Sequence, residues 1–382
     1  MMIKQVLAKE RKTLGKSRRW VIKIGSALAT NNGLGLNSDK IKDWASQISE
    51  LLKANRQIVI VASGSVAEGV SRLGWGSRPH ALNKLQAAAA IGQIGLARTW
   101  SEAFEAVGCR ASQVLLTHDD LADRKRYLNA RTTMLTLLDL SVIPVINEND
   151  TVVTTELSLG DNDTLAGLVS NLIEADLMVI LTDQEGLMTA DPRSSDDAVL
   201  IQEADVDSDR LDSFAQGGGE WGRGGMITKL RAARLASRSA TSTIIVSGSE
   251  ERVLNKIGAG ESCGTLLYSS QEKLASRKQW LGGIVLAKGR ITLDRGACAA
   301  LRQQGSSLLA VGIEDVVGNF ERGDLVALDN QEGREMGRGI INYSSRECVL
   351  IKGKVSLEIE SILGYSREPE VIHRDNLVVG SF

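Results

Sequence analysis

Five short apolar runs, dense in Val and Ile and separated by longer helical stretches, constrain this chain more than any other feature. They are WVIKIG (Trp20–Gly25), IVIVASG (Ile58–Gly64), SVIPVINEND (Ser141–Asp150), LMVILTD (Leu177–Asp183) and STIIVSG (Ser242–Gly248). Runs of this length and β-branched content predict strands buried on both faces. The stretches Ser38–Asn55, Leu82–Val107, Arg124–Leu140, Asp163–Ala175 and Thr228–Ala240 predict the helices between them. Strand and helix in that rhythm predict an α/β unit, a mainly parallel sheet sandwiched by helices. Ligands of such sheets bind beyond the carboxyl ends of the strands, so the polar residues closing each run are the first candidates for a site.

After Gly264 the texture changes to short strands with turn signals around GRITLD, GDLVALDNQEG and ECVLIKGK. The expected organisation is an extension over 1–19, an α/β domain over 20–265 and a linker over 266–286. A small, mostly β domain over 287–363 and a tail over 364–382 complete it. The extension is basic but lacks the apolar stretch of a secretory signal, so it is expected to be solvated and the compartment cytoplasmic.

Composition excludes several classes. Forty-five Lys and Arg face 47 Asp and Glu, a net charge of −2, which gives no electrostatic reason for nucleic acid or an anionic membrane as a main partner. Over 286–363 the balance is ten basic against eleven acidic residues, so an RNA-binding reading of the second unit lacks its footprint. Four scattered cysteines and three histidines argue against a disulfide framework or a Cys/His metal cage. No apolar run reaches the ~18 residues of a membrane span. Thirty-eight glycines against four prolines favour close backbone approach to a ligand.

Four clusters carry candidate chemistry. Lys23 lies inside the first apolar run, where an ammonium is costly unless it meets an anion. Ser63-Gly64-Ser65 closes the second run and leads into a helix, a place for an anion on backbone amides. Asn147-Glu148-Asn149-Asp150 with Gly160-Asp161-Asn162-Asp163 gathers carboxylates and amides suited to gripping an amine or a lysine. Gly217–Lys229, GGGEWGRGGMITK, is a glycine-rich loop running into a helix with Lys229 in its first turn. A Walker A sequence is absent, and the GxGxxG match at Gly217–Gly222 follows no strand. Two lysines, a glycine cradle and an acidic organiser describe phosphoryl transfer, which needs positioning and charge neutralisation more than a base.

VIKIGS, VASGS, VINEND, GDNDTLAGLV, LTDQEGL and GRGGMITK, in this order, resemble the amino-acid kinase family. LNAR (Leu128–Arg131), TADPR (Thr189–Arg193) and a β-rich end that resembles a PUA domain point to its glutamate-phosphorylating branch, which opens proline biosynthesis. The resemblance implies an amino-acid kinase fold with a PUA-like C-terminal domain. It implies ATP and L-glutamate as substrates, Mg²⁺ as cofactor, proline as a feedback inhibitor and a homo-oligomer. Carried over by position, Lys23, Lys229 and Asp163 are catalytic, and Ser63, Asp150 and Asn162 bind the amino acid. ATP contacts fall to Lys23, Thr182, Asp183, Arg223, Gly224, Gly225, Met226, Ile227, Thr228 and Lys229, and no residue is assigned as a metal ligand. The family loop carries Thr and Ser where this chain has Arg223 and Ile227, which exchanges two hydroxyls for a guanidinium and an apolar chain.

Overall fold

The computed structural model describes residues 11–31, 33, 35–153, 162–190, 195, 197–214, 225–269, 287–304, 306–365 and 368–379. The chain divides into two units, Met1–Glu272 and Lys273–Phe382. In the first, eight strands form one sheet: β1 (Arg19–Ile24), β2 (Gln57–Ala62), β3 (Arg110–Leu116), β4 (Val142–Glu148), β5 (Leu177–Thr182), β6 (Glu203–Asp205), β7 (Ser242–Ser247) and β8 (Thr265–Tyr268). Their order is β3-β4-β2-β1-β5-β7-β8-β6, parallel except where β8 runs antiparallel to β7.

The five apolar runs are β1, β2, β4, β5 and β7. Strand β3, RASQVLL, escapes the pattern because it is the sheet's edge and keeps polar, part-exposed positions. Alternation along β1 divides two cores. Trp20, Ile22 and Ile24 join Trp44, Ile48, Leu96 and Trp100 on one face. Val21 joins Leu165, Val169, Met178 and Leu230 on the other. Lys23 has the parity of Val21 and sits one residue from the strand's end, in register with Val61 of β2 and Ile180 of β5. Chain order departs to either side of β1, so its carboxyl end lies at the switch point where open α/β sheets bind ligands.

Glycines set how closely the helices approach. A Cβ on Gly92, in helix Leu82–Glu105, would lie 1.8 Å from the Ser65 carbonyl oxygen, and one on Gly69 1.8 Å from that of Ala88. The helices Ser65–Arg72 and Leu82–Glu105 therefore touch backbone to backbone. Gly167, in helix Asn162–Leu172, meets the Ala232 carbonyl of helix Met226–Ser237 in the same manner, 2.8 Å from the position of a Cβ.

Three boundary expectations change. Arg11, in the segment expected to be solvated, is buried and donates to the carbonyls of Cys263 (2.9 Å) and Gln202 (2.6 Å), while Leu14 packs on the core. Charge composition misleads here because a guanidinium can satisfy strand-end carbonyls as well as it meets water. Residues 266–268 of the expected linker are β8, hydrogen-bonded to β7 and β6. The expected tail over 364–382 supplies the last strand of the second unit and Val371 and Ile372 of its core.

That second unit is a five-stranded sheet: β9 (Gly289–Leu293), β10 (Ile313–Gly318), β11 (Leu325–Asp329), β12 (Glu335–Ile340) and β13 (Leu377–Val379), in the order β10-β9-β11-β12-β13. Its own core of Ile291, Leu293, Val326, Leu328, Tyr343 and Ile372 is closed by helices from its own sequence. Since each unit has a separate core, a chain truncated after Glu272 is expected to stay soluble and to unfold cooperatively. Circular dichroism melts check this, and a truncate that is aggregated or molten would show that the second unit completes the first.

Candidate active site

Helix Asn162–Leu172 covers the β1 face that carries Lys23 and begins beside that strand's carboxyl end. Asp163, its second residue, is fully buried. Its Oδ1 lies 2.5 Å from Lys23 Nζ and its Oδ2 3.1 Å from Lys229 Nζ. The Thr228 hydroxyl donates to the same Oδ2 at 2.9 Å. Lys229 arrives because helix Met226–Ser237 lies on helix Asn162–Leu172 at the Gly167 approach, a contact also held by Asn171 Nδ2 donating to the Leu235 carbonyl at 2.9 Å. Burial by itself would raise the Asp163 pKa. The charges of Lys23 and Lys229 and their hydrogen bonds outweigh it, holding the carboxyl below its ordinary range. Its stabilising contribution is therefore present above the unfolded-state pKa and lost as pH falls through the folded one.

Two ammonium groups meet on one carboxylate here, with both lysine side chains 7% exposed. The cluster also stands at the amino-terminal turns of two helices, whose dipoles favour an anion. Paired ammonium groups at helix amino-terminal turns are suited to meeting an anion.

Asn162, the neighbour of Asp163, opens a second network. Its Nδ2 donates to the Ala62 carbonyl (2.8 Å), Ser63 Oγ (2.7 Å) and Asn147 Oδ1 (3.0 Å). Asn147 Nδ2 in turn donates to Ser65 Oγ (3.2 Å) and Gln93 Oε1 (2.8 Å). Ser65 Oγ donates to Asp150 Oδ2 at 3.1 Å. Gly64 makes this turn possible: its φ is +124°, and a Cβ there would lie 2.9 Å from Leu36 Cδ2. The hydroxyls of Ser63 and Ser65 both take part in this network. Desolvation pushes the Asp150 pKa up, opposed by the Ser65 hydroxyl and by the charge of Arg78.

At the end of β5, Thr182 Oγ1 donates to Asp183 Oδ1 at 3.0 Å, and the Thr182 carbonyl accepts from the Gly248 amide. Gly225 caps helix Met226–Ser237, its carbonyl accepting from the Thr228 amide at 3.1 Å, and Met226 and Ile227 are that helix's first two residues. Arg223, Gly224, Asp161 and Gly217–Gly222 lie outside the described residues. Asn147, Ser65 and Gln93 belong to the site without having been assigned to it. The first two stand inside flagged motifs, whereas Gln93 is a glutamine in a helix, with no local signal to separate it from a surface residue. Arg131 of LNAR has a structural place, reaching the Leu172 carbonyl and Glu174.

Fold and site define a class, a phosphotransferase without a Walker loop, and the model of the amino acid kinase family matches residues 18–247. That of the PUA domain matches residues 289–363. The chain is 55% identical over 374 residues to the glutamate 5-kinase of Thioalkalivibrio sulfidiphilus, covering 98% of this chain and 100% of that one. It is 55% identical to that of Hahella chejuensis (97% and 96% covered) and 56% identical to that of Pseudomonas entomophila (95% and 98% covered). The chain belongs to the glutamate 5-kinase family, within the amino acid kinases.

The raised pKa of Asp150 carries a stability consequence. The folded state holds the proton more tightly than the unfolded one, so ionisation costs stability as pH climbs from about 4 through the folded pKa. Asp150→Asn removes that cost and is expected to melt higher than the native enzyme at pH 7, with the gain vanishing below about pH 4. Thermal melts across pH check it; a variant that melts lower throughout would contradict it.

Proposed function

We propose that this chain transfers the γ-phosphoryl group of ATP to the side-chain carboxylate of L-glutamate, giving L-glutamyl 5-phosphate and ADP. The convergence of Lys23 and Lys229 on the fully buried Asp163 carries the reading. A carboxylate oxygen attacks the γ-phosphorus while the bond to the β–γ bridging oxygen breaks. The acceptor is already ionised at neutral pH, so no residue has to remove a proton. What remains is to align two anions and neutralise their repulsion. Asp163 fixes both ammonium groups in advance, and they stabilise charge on the transferring group and the departing oxygen. Asp150 receives the α-ammonium group, with Ser63 and Asn162 lining the amino-acid side. Thr182, Asp183 and the segment from Arg223 to Lys229 take the nucleotide.

Mg²⁺ belongs in this reading with the nucleotide. Both Asp163 oxygens are engaged by lysines, so that carboxylate does not fit a metal ligand, and no group of three acidic, His or Cys side chains gathers among the described residues. When bound, the ion neutralises phosphate charge. Proline as feedback inhibitor, a homo-oligomer and a cytoplasmic location extend the same reading through the resemblance. No helix among the described residues is long and apolar enough to cross a membrane.

The direct test is ATP consumption with glutamate, acetylglutamate, aspartate or carbamate, with hydroxylamine trapping the acyl phosphate. Hydroxamate is expected with glutamate alone; turnover only with another acceptor would refute the assignment. Lys229→Ala should lower kcat by roughly 10²-fold or more, the scale for loss of one preorganised charge stabiliser. Lys229→Arg should recover little, because a planar fork replaces a compact ammonium. Near-normal kcat in Lys229→Ala would move the role to Lys23 and Arg223. Steady-state kinetics of Asp150→Ala should show a glutamate KM raised much more than that for ATP. Equal changes in both would make Asp150 structural.

A further inference from the structure

Ser65 stands where helix Ser65–Arg72 begins, and its side chain turns to β4 rather than to its own helix. The hydroxyl is buried, accepts from Asn147 Nδ2 at 3.2 Å and donates its proton to Asp150 Oδ2 at 3.1 Å. Among the described residues this is the one side-chain hydrogen bond that Asp150 receives. Asn147 can send its amide to Ser65 because its own carbonyl is occupied by Asn162. The proton of the Ser65 hydroxyl is thereby committed to the carboxylate. Position is equally constrained. Gly64 gives the turn its left-handed φ, and the Ser65 backbone is pressed against Gly92, so the point from which the hydroxyl projects is fixed.

We propose that Ser65 is a positioning residue for amino-acid recognition: its hydroxyl fixes Oδ2 of Asp150, orients the carboxylate, and leaves Oδ1 for the substrate ammonium group. The proposal rests on the reading of Asp150 as the ammonium site. It also bears on charge. Burial disfavours the Asp150 anion that an ammonium requires, and two groups oppose that burial: the Ser65 hydroxyl and, from the loop after its helix, the Arg78 guanidinium. Of these two, only Ser65 is hydrogen-bonded to the carboxylate. Loss of the hydroxyl removes orientation and favours the protonated, non-binding acid.

The test is a kinetic double-mutant cycle of Ser65→Ala and Asp150→Asn in the full-length enzyme, with KM for glutamate and for ATP and the pH profile of kcat/KM for glutamate. Ser65→Ala is expected to raise the glutamate KM about tenfold, the scale of one hydrogen bond to a charged group. KM for ATP and saturating kcat should hold, and the acid limb of the profile should move to higher pH. With Asp150→Asn already present, adding Ser65→Ala should change little. Ser65→Thr, which keeps the hydroxyl, should return the acid limb to its native place. An Asp150→Asn enzyme with unchanged glutamate KM would overturn the reading of Asp150 and this proposal with it. A raised KM there, beside a Ser65→Ala enzyme with native KM and pH profile, would overturn the role of Ser65 alone. Effects that simply add would make Ser65 a packing residue and equally overturn it.

Discussion

One carboxylate shared by two buried ammonium groups is the interaction on which the arrangement of this molecule depends. Lys23 belongs to β1, Asp163 to the start of helix Asn162–Leu172 and Lys229 to helix Met226–Ser237, so the cluster ties three elements remote in sequence. Loss of Asp163 would strip both ammonium groups of the counter-charge they share, so the cluster is held together through that one carboxylate. The same three side chains that tie these elements together are the ones proposed to act on the phosphoryl group.

The surrounding fold serves to bring them within reach. A sheet that reverses chain order at β1 opens a crevice there, and the polar residues ending β1, β2, β4 and β5 face it. Gly167 lets one helix approach another closely enough for Lys229 to reach Asp163, while Gly69 and Gly92 do the same for the pair carrying Ser65 and Gln93. A methyl group at any of these would force the helices apart and shift a hydrogen bond several side-chain atoms away.

Much of this was legible in the residues, for reasons that differ from one element to the next. The central strands announced themselves because both faces are buried, whereas edge strand β3 did not, since exposure lets it keep Arg110, Ser112 and Gln113. Lys23 stood out as a charge inside an apolar run, and Asp163 as one of a cluster of carboxylates and amides before a helix. Gln93 did not, because its role arises from a helix–helix approach that local sequence does not encode. The terminal segments were misread for a related reason. The docking of Arg11 on Cys263 and of β13 on β12 joins residues far apart in the chain. Composition over a short window describes what a segment is made of and not what it meets.

Asn162 and Asp163 lead into two different networks, which the proposed function assigns to recognition and to chemistry. Consecutive residues on a helix point about 100° apart, so adjacent side chains serve different neighbours. Asn162 gathers neutral donors and acceptors that lead to Ser63, Asn147, Ser65 and Asp150, while Asp163 gathers ammonium groups. Hydrogen bonds of the first kind are short-ranged and directional, suited to fixing one amino acid in one orientation. The charges of the second act over a longer range and tolerate the changing geometry of a transferring group. Because both begin at one helix terminus, the two networks are positioned by a single rigid element, which under the proposed function would set the acceptor carboxylate against the phosphoryl-stabilising charges. On that reading the relative placement of two substrates that repel each other would be built into the fold before either binds.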